Sequence, residues 1–199
     1  MTTSHIGVDE QRLSDILRDL LDPNGPHGQG DAFLRAFLRL IDYEVGYRAG
    51  DVVTVSREFA TNRIQRTQRR LDLLIDIRRD GRSLEGIAIE NKPWAFDQED
   101  QITDYLSHLE RSYSAGHYRL VYLTKDGVSP PLHSVSNAQE LLQQRSLLLM
   151  AYAIRTDCPY NLPVWLDICL QLCQSEKVRW FLRDLIQYIQ RNFQDEPCA

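Results

Sequence analysis

Three charged residues sit in apolar surroundings, and their types and spacing suit one kind of chemistry. Asp72 lies within Leu71-Asp72-Leu73-Leu74-Ile75, Glu90 ends the run Ile87-Ala88-Ile89, and Lys92 follows two residues later. A carboxylate inside an apolar strand is costly unless it is paired, hydrogen-bonded or bound to metal. Two carboxylates close together repel unless a cation joins them. Hard divalent cations such as Mg²⁺ take carboxylate oxygens, backbone carbonyls and water. A metal so held polarises a phosphoryl oxygen and supplies hydroxide near neutral pH. A nearby ammonium then orients the water or stabilises charge developing on phosphate.

The elements that must position these residues are two strands and a turn. Residues 70–78 and 85–92 read as strands, separated by Arg79-Asp80-Gly81-Arg82-Ser83 with its Asp-Gly turn signature. A turn centred on Gly81 sets Asp72 opposite Glu90, with Cα atoms about 4.5–5.5 Å apart. Period-two alternation puts Lys92 on the face of Glu90. This register needs a three- or five-residue turn, since an even-numbered loop faces Asp72 with Ile89. Asp76 is the competing ligand, but the same register pairs it with Gly86, away from Lys92.

Around this hairpin the chain alternates in type. Helices are expected over 9–21, with Leu13, Ile16, Leu17 and Leu20 on one face, and around Phe33–Leu40. A turn-rich segment, Asp22–Gly30, separates them. Residues 52–59 and 118–124 read as strands and Ala60–Gln68 as a polar loop. Asp97 is a candidate N-cap for a helix bearing Ile102, Tyr105, Leu106 and Leu109. From Asn137 the chain reads as helical, broken near Pro159 and Pro163. Its last helix buries Val178, Phe181, Leu182, Leu185, Ile186 and Ile189. With no internal repeat or linker, a single α/β domain over 1–199 is expected. It comprises N-terminal helices (1–50), a core (51–125) and a C-terminal helical part (137–193).

The 199 residues carry 23 basic against 28 acidic side chains, a net charge of −5, which excludes a globally basic nucleic-acid coat protein. The basic residues are 20 Arg and only three Lys. Residues 60–71 nevertheless hold four Arg (Arg63, Arg66, Arg69, Arg70) and no acid, and lead straight into Asp72. Arginine suits bidentate phosphate contact, so this loop is the candidate substrate-contacting segment. The N-terminus shows no signal-peptide pattern and no apolar run reaches the ~18 residues of a membrane span, so a cytoplasmic protein is expected. The four cysteines (Cys158, Cys169, Cys173, Cys198) fit no metal-ligand spacing and read as reduced, packing thiols.

Asp72 followed by Glu90-Asn91-Lys92 at the end of the next strand resembles the PD-(D/E)XK nuclease superfamily. The longer string Glu90-Asn91-Lys92-Pro93-Trp94-Ala95-Phe96-Asp97-Gln98, then Gln101 and Tyr105, is similar to one little-characterised branch of it. So are Glu10 with Ser14, Leu21-Asp22-Pro23, His27-Gly28 and Val178–Leu182. Leu71 replaces the proline of the first half-motif. The resemblance implies a restriction-endonuclease-like α/β fold, a mixed central β-sheet flanked by helices with additional C-terminal helices. It implies a Mg²⁺-dependent nuclease, Mn²⁺ serving as substitute, with DNA favoured over RNA. Asp72 and Glu90 would ligate the metal with the Asn91 backbone carbonyl, and Lys92 would position the attacking water. Glu58 or Glu10 would add an acidic ligand, and Gln101 and Tyr105 would lie beside the lysine and substrate. Such groups often serve in phage defence or DNA repair, and cutting both strands would require a homodimer or two visits.

The same residues also have structural readings. Glu90 and Lys92 can form an ion pair that merely stabilises the sheet, and Glu58 can pair with Arg57 or Arg70. Glu10 suits a first helical turn, Tyr105 suits the core, and His27 suits a turn. A nuclease-fold module that binds nucleic acid or a protein without cutting is the rival function.

Overall fold

The computed structural model describes residues 9–43, 47–48, 50–61, 69–94 and 97–194. Arg63, Arg66, Cys198 and most of the expected 60–68 loop lie outside the described residues.

Six strands form one sheet in sequence order: β1 (Val52–Ala60), β2 (Arg70–Arg79), β3 (Arg82–Lys92), β4 (Tyr118–Thr124), β5 (Leu147–Ala151) and β6 (Tyr160–Asn161). The first three are antiparallel neighbours; β3 to β6 run parallel. Among the described residues six helices flank the sheet: α1 (Glu10–Leu21), α2 (Ala32–Leu40), α3 (Gln101–Ser112), α4 (Ala138–Gln143), α5 (Leu162–Leu172) and α6 (Glu176–Phe193). This is the expected mixed sheet with flanking helices.

Alternation along β3 builds the two layers. Ile87 and Ile89 enter the larger core with α1, α2, α5 and α6. Ala88 enters the smaller core with Ile102, Tyr105, Leu106 and Leu109 of α3. Gly86, on the smaller-core side, is required by close approach, since a Cβ there would lie 2.2 Å from the Tyr113 ring.

The hairpin carries the register by a different route from the odd turn expected. Asp80 (φ 50°) and Gly81 (φ 74°) form a two-residue loop with both residues left-handed, the primed turn whose twist matches that of its strands. Arg79 faces Arg82 and Arg78 faces Ser83; then a bulge intervenes, Leu84 has no partner, and Ile77 faces Glu85. The extra residue offsets the even loop. From there to Leu73↔Ile89 the expected register holds, with Asp76 opposite Gly86.

Four further expectations need correction. The stretch after Asn137 is not all helix, because Leu147–Ala151 is a strand parallel to β4. Its short apolar run is buried and flanked by covered layers, where helix and strand share one pattern. Asp97 is not the N-cap of α3; Asp100 holds that place at φ 55° without a side-chain bond, and Ser134 Oγ accepts from Ile102 N at 3.2 Å. Pro163 starts α5 rather than breaking a helix, since a first-turn proline loses no intrahelical bond. On α6, Phe181 is 43% exposed, and the buried stripe continues instead to Phe193.

Candidate metal centre

Glu90 and Asn91 sit at the C-terminal end of β3, and alternation sends them to opposite layers. Glu90 is 1% exposed and faces α3. Gln101 Nε2 donates to its Oε1 at 2.6 Å, and Lys92 Nζ lies 3.2 Å from the same oxygen. Gln101 is fixed in turn: its Oε1 accepts from Gln98 N at 3.0 Å, and its Nε2 also donates to Tyr105 Oη at 3.0 Å. Tyr105 Oη donates to the Arg70 carbonyl at 2.7 Å, tying α3 to the start of β2. The four-residue spacing of Gln101 and Tyr105 places both on one helix face.

Asn91 is fully buried against α1 and Tyr152, the residue after β5. Its Nδ2 donates to Ser14 Oγ at 2.9 Å, and Tyr152 Oη donates to its Oδ1 at 2.7 Å. Ser14 Oγ donates to the Glu10 carbonyl at 3.0 Å. Neither Asn91's side chain nor Tyr152 was singled out by sequence; Tyr152 lies in the stretch misread as helix.

Asp72 reaches this point by a kink rather than by simple alternation. The β1–β2 ladder passes from Arg57↔Leu73 to Phe59↔Leu71, skipping Glu58 and Asp72, and Glu58 is left-handed at φ 48°. Leu73 joins the larger core and Leu71 the smaller, so the face changes between them. The β2–β3 ladder stops one pair short of Asp72 and Glu90. There Asp72 Oδ2 accepts from Asn91 N at 2.7 Å.

The electrostatics follow from burial. Glu90 is pushed well above the usual carboxylate range by desolvation first and the Asp72 charge second, with Lys92 opposing. Asp72 is raised by burial, against the Asn91 amide and Lys92. Burial acts to lower Lys92, but Glu90, then Glu10 and Asp72, hold it above its ordinary value, so it is an ammonium. Glu90 Oε2 is buried with no hydrogen-bond partner of ordinary geometry among the described residues. The neighbouring Asp72 carboxyl couples to Glu90 through like charge and a side-chain hydrogen bond. An orphaned carboxylate oxygen beside a second carboxylate fits a hard cation, and Mg²⁺ commonly uses one or two carboxylates with water.

The remaining candidates divide. Glu10, in the first turn of α1, feels the fields of Lys92 and Asp72, and burial raises its carboxyl. Glu58 turns to Arg70 at 3.2 Å and Arg57 at 3.9 Å. Among the described residues no three Asp, Glu, His or Cys side chains converge as a ligand group. Asp76 is satisfied structurally by Arg78 at 2.6 Å, Ser83 at 3.2 Å and Tyr113 at 3.2 Å.

Arg69 is not directed at a phosphate: its guanidinium bonds Asp104 at 2.5 Å, Gln98 at 2.8 Å and the Glu99 carbonyl. It clips β2 to α3. Arg70 is 69% exposed at its side chain and pairs, among the described residues, with Glu58. His27 is a turn residue, its ring nitrogens bonded to the Asp22 carbonyl and Gln29 N and its ring stacked on Phe33. Arg57, read from the sequence only as a partner for Glu58, bonds Asp15 at 2.7 Å, and its charge favours ionised Asp72. Cys169 and Cys173 pack in the larger core.

No helix among the described residues is long and apolar enough to cross a membrane. No curated protein matches the chain. A family model described as the PD-(D/E)XK nuclease superfamily matches residues 2–193, spanning both the strands that carry Asp72, Glu90 and Lys92 and the helices that hold them. The chain therefore belongs to the PD-(D/E)XK nuclease superfamily.

Proposed function

We propose that this chain is a divalent-metal-dependent nuclease that hydrolyses phosphodiester bonds, with DNA favoured over RNA by resemblance alone. The observation that carries the reading is the pair Asp72 and Glu90, with Glu90 Oε2 orphaned and Lys92 3.2 Å from Oε1. Asp72, Glu90 and the Asn91 carbonyl would hold Mg²⁺ or Mn²⁺, with Glu10 better placed than Glu58 to assist. A cation bound there polarises the phosphoryl oxygen and acidifies water.

The chain's own residues supply the rest. Gln101, fixed by Gln98 and Tyr105, orients Glu90 so that Oε2 is the oxygen left open. The Asn91 amide orients Asp72. Lys92 presents an ammonium that stabilises negative charge growing on the phosphate and orients the attacking water. Arg70, exposed beside the site, is suited to a neighbouring phosphate. A place in phage defence or repair is an analogy of family.

A second reading has its own support. The ion pair of Lys92 with Glu90 is also what a silent, structural nuclease fold would keep. A cleavage panel separates the two: single- and double-stranded DNA and RNA with Mg²⁺ or Mn²⁺, using wild type and Lys92→Met. Metal-dependent cleavage is expected, with a loss of about 10²-fold or more in the variant. Because Lys92 competes for Glu90, calorimetry should find Mn²⁺ affinity in the variant undiminished. Absence of both cleavage and metal binding in the wild type would leave the silent module.

A further inference from the structure

Beside Lys92 opens a cleft of about 360 Å³ lined in part by Lys92, Trp94, Asp97, Thr124, Lys125 and Asp126. It lies past the C-terminal ends of β3 and β4, the end of a parallel sheet where ligands collect. Three of its oxygens, Asp97 Oδ1, Thr124 Oγ1 and Asp126 Oδ1, are buried without a hydrogen-bond partner among the described residues. All three are closed to solvent in the resting cleft, and Thr124 is 6% exposed, so a bound ligand meets them after a small side-chain rotation. Buried polar atoms are nearly always satisfied, and orphans gathered in one cleft point to a ligand carrying donors. Tyr122 Oη donates to Asp97 Oδ2 at 2.7 Å, which fixes that carboxylate and leaves Oδ1 as its open oxygen.

The other lining groups narrow the chemistry. Lys92, its ammonium 3.2 Å from Glu90 Oε1, and Lys125 are both lining residues, a composition that opposes a second divalent cation. Trp94 is 50% exposed, and its indole is stacked on Phe193 with centroids 5.1 Å apart, so a flat aromatic surface is held at the mouth. Acceptors, an aromatic plane at the rim and two basic residues in the lining match a nucleotide.

We propose that this cleft is a base-recognition subsite for an amino-bearing nucleobase of the nucleotide next to the scissile phosphate. Guanine, adenine and cytosine offer exocyclic amines, and guanine adds a ring N–H beside its amine. Thymine and uracil offer one ring N–H flanked by two carbonyls, which would face carboxylate oxygens and be repelled. The subsite rests on the nuclease reading for the position of the scissile phosphate, but its binding chemistry is separable from cleavage.

The test is calorimetry on the full chain in EDTA, with tryptophan fluorescence as a second readout. The probes are guanosine, adenosine, cytidine and thymidine 5′-monophosphates, with inorganic phosphate as control. At least one amino-bearing nucleotide should bind about tenfold or more tighter than the thymidine one. A Thr124→Val, Asp126→Asn double variant, nearly isosteric, should lose that difference while keeping Mn²⁺ binding at Asp72 and Glu90. Trp94→Ala should weaken all nucleotides together. Equal affinity for all nucleotides, or a preference that survives the double variant, overturns the proposal. A second Mn²⁺ equivalent that disappears in the double variant also overturns it, by assigning the oxygens to a cation. If discrimination holds while no nucleic acid is cut, the nuclease reading fails and the subsite stands; cleavage without discrimination has the opposite meaning.

Discussion

At Asp72 and Glu90 the protein holds two carboxylates in a place that disfavours their charge. Both titrate above their unfolded values, chiefly through burial. A carboxyl with a raised folded pKa binds more protons folded than unfolded, so its contribution to stability falls as pH rises through that interval. The metal-free protein should therefore lose stability as pH climbs upward from the ordinary carboxylate range. Asp72→Asn keeps an oxygen for the Asn91 amide but removes one of the two like charges. In EDTA at pH 7 it should melt above the wild type and show a shallower pH slope. The wild type should gain about 2.7 kcal/mol when Mn²⁺ is present at 100 times its Kd, and the variant close to nothing. Thermal unfolding with and without metal checks both, and a variant that melts lower in EDTA would show that Asp72 stabilises the resting fold.

At the scale of elements, the site depends on how two strands end. A tight primed turn and one bulged residue, Leu84, together deliver the register in which Leu73 faces Ile89. The kink at Glu58 and Asp72 then frees the carboxylate from the pleat. α3 must lie close to β3 for Gln101 to reach Glu90, and Gly86 permits that approach by leaving room for Tyr113. Gly86→Ala should drive the Tyr113 ring away and cost about 1–3 kcal/mol, the usual range for overpacking. Chemical denaturation measures it, and a neutral effect would mean the ring has space to yield. Metal affinity should fall with it if the α3 approach sets the orientation of Glu90.

Across the whole molecule, Asn91 joins layers that are far apart in sequence. It links Ser14 of α1 to Tyr152, which stacks on Phe193 of α6 with centroids 4.5 Å apart. Tyr152→Phe leaves Asn91 Oδ1 buried without a donor and should cost about 1–3 kcal/mol. Replacing Asn91 as well should recover part of that loss, since both partners are then gone. A double-mutant cycle by denaturation checks the coupling, and additive losses would rule it out. The net charge of −5 means that the proposed nucleic-acid substrate must be met by local positive charge. Of the basic segment before Asp72, Arg70 is exposed, whereas Arg69 is spent on α3 and Arg63 and Arg66 lie outside the described residues.

The sequence by itself determined which charged residues make the candidate site and most of the framework. Charged residues in apolar strands, an Asp-Gly turn and a helical stripe from Ile102 to Leu109 are local patterns, set by period and by the cost of buried charge. Strands β1 to β4 and helices α1 to α3 were legible for that reason. The resemblance extended this to Gln101 and Tyr105; the structure bonds Gln101 to Glu90 and Tyr105 to Gln101. Only the tertiary structure decided what depends on neighbours. The run Leu147–Ala151 became a strand because β4 offered it a parallel edge. Asp97 left its expected cap because Tyr122 claimed its carboxylate. Arg69 became a clip because α3 presented Asp104 to it, and Asp72 met Glu90 through a kink that no period-two pattern encodes. Periodicity reports a residue's own element, whereas a side chain's partner is fixed by whichever distant segment packs against it.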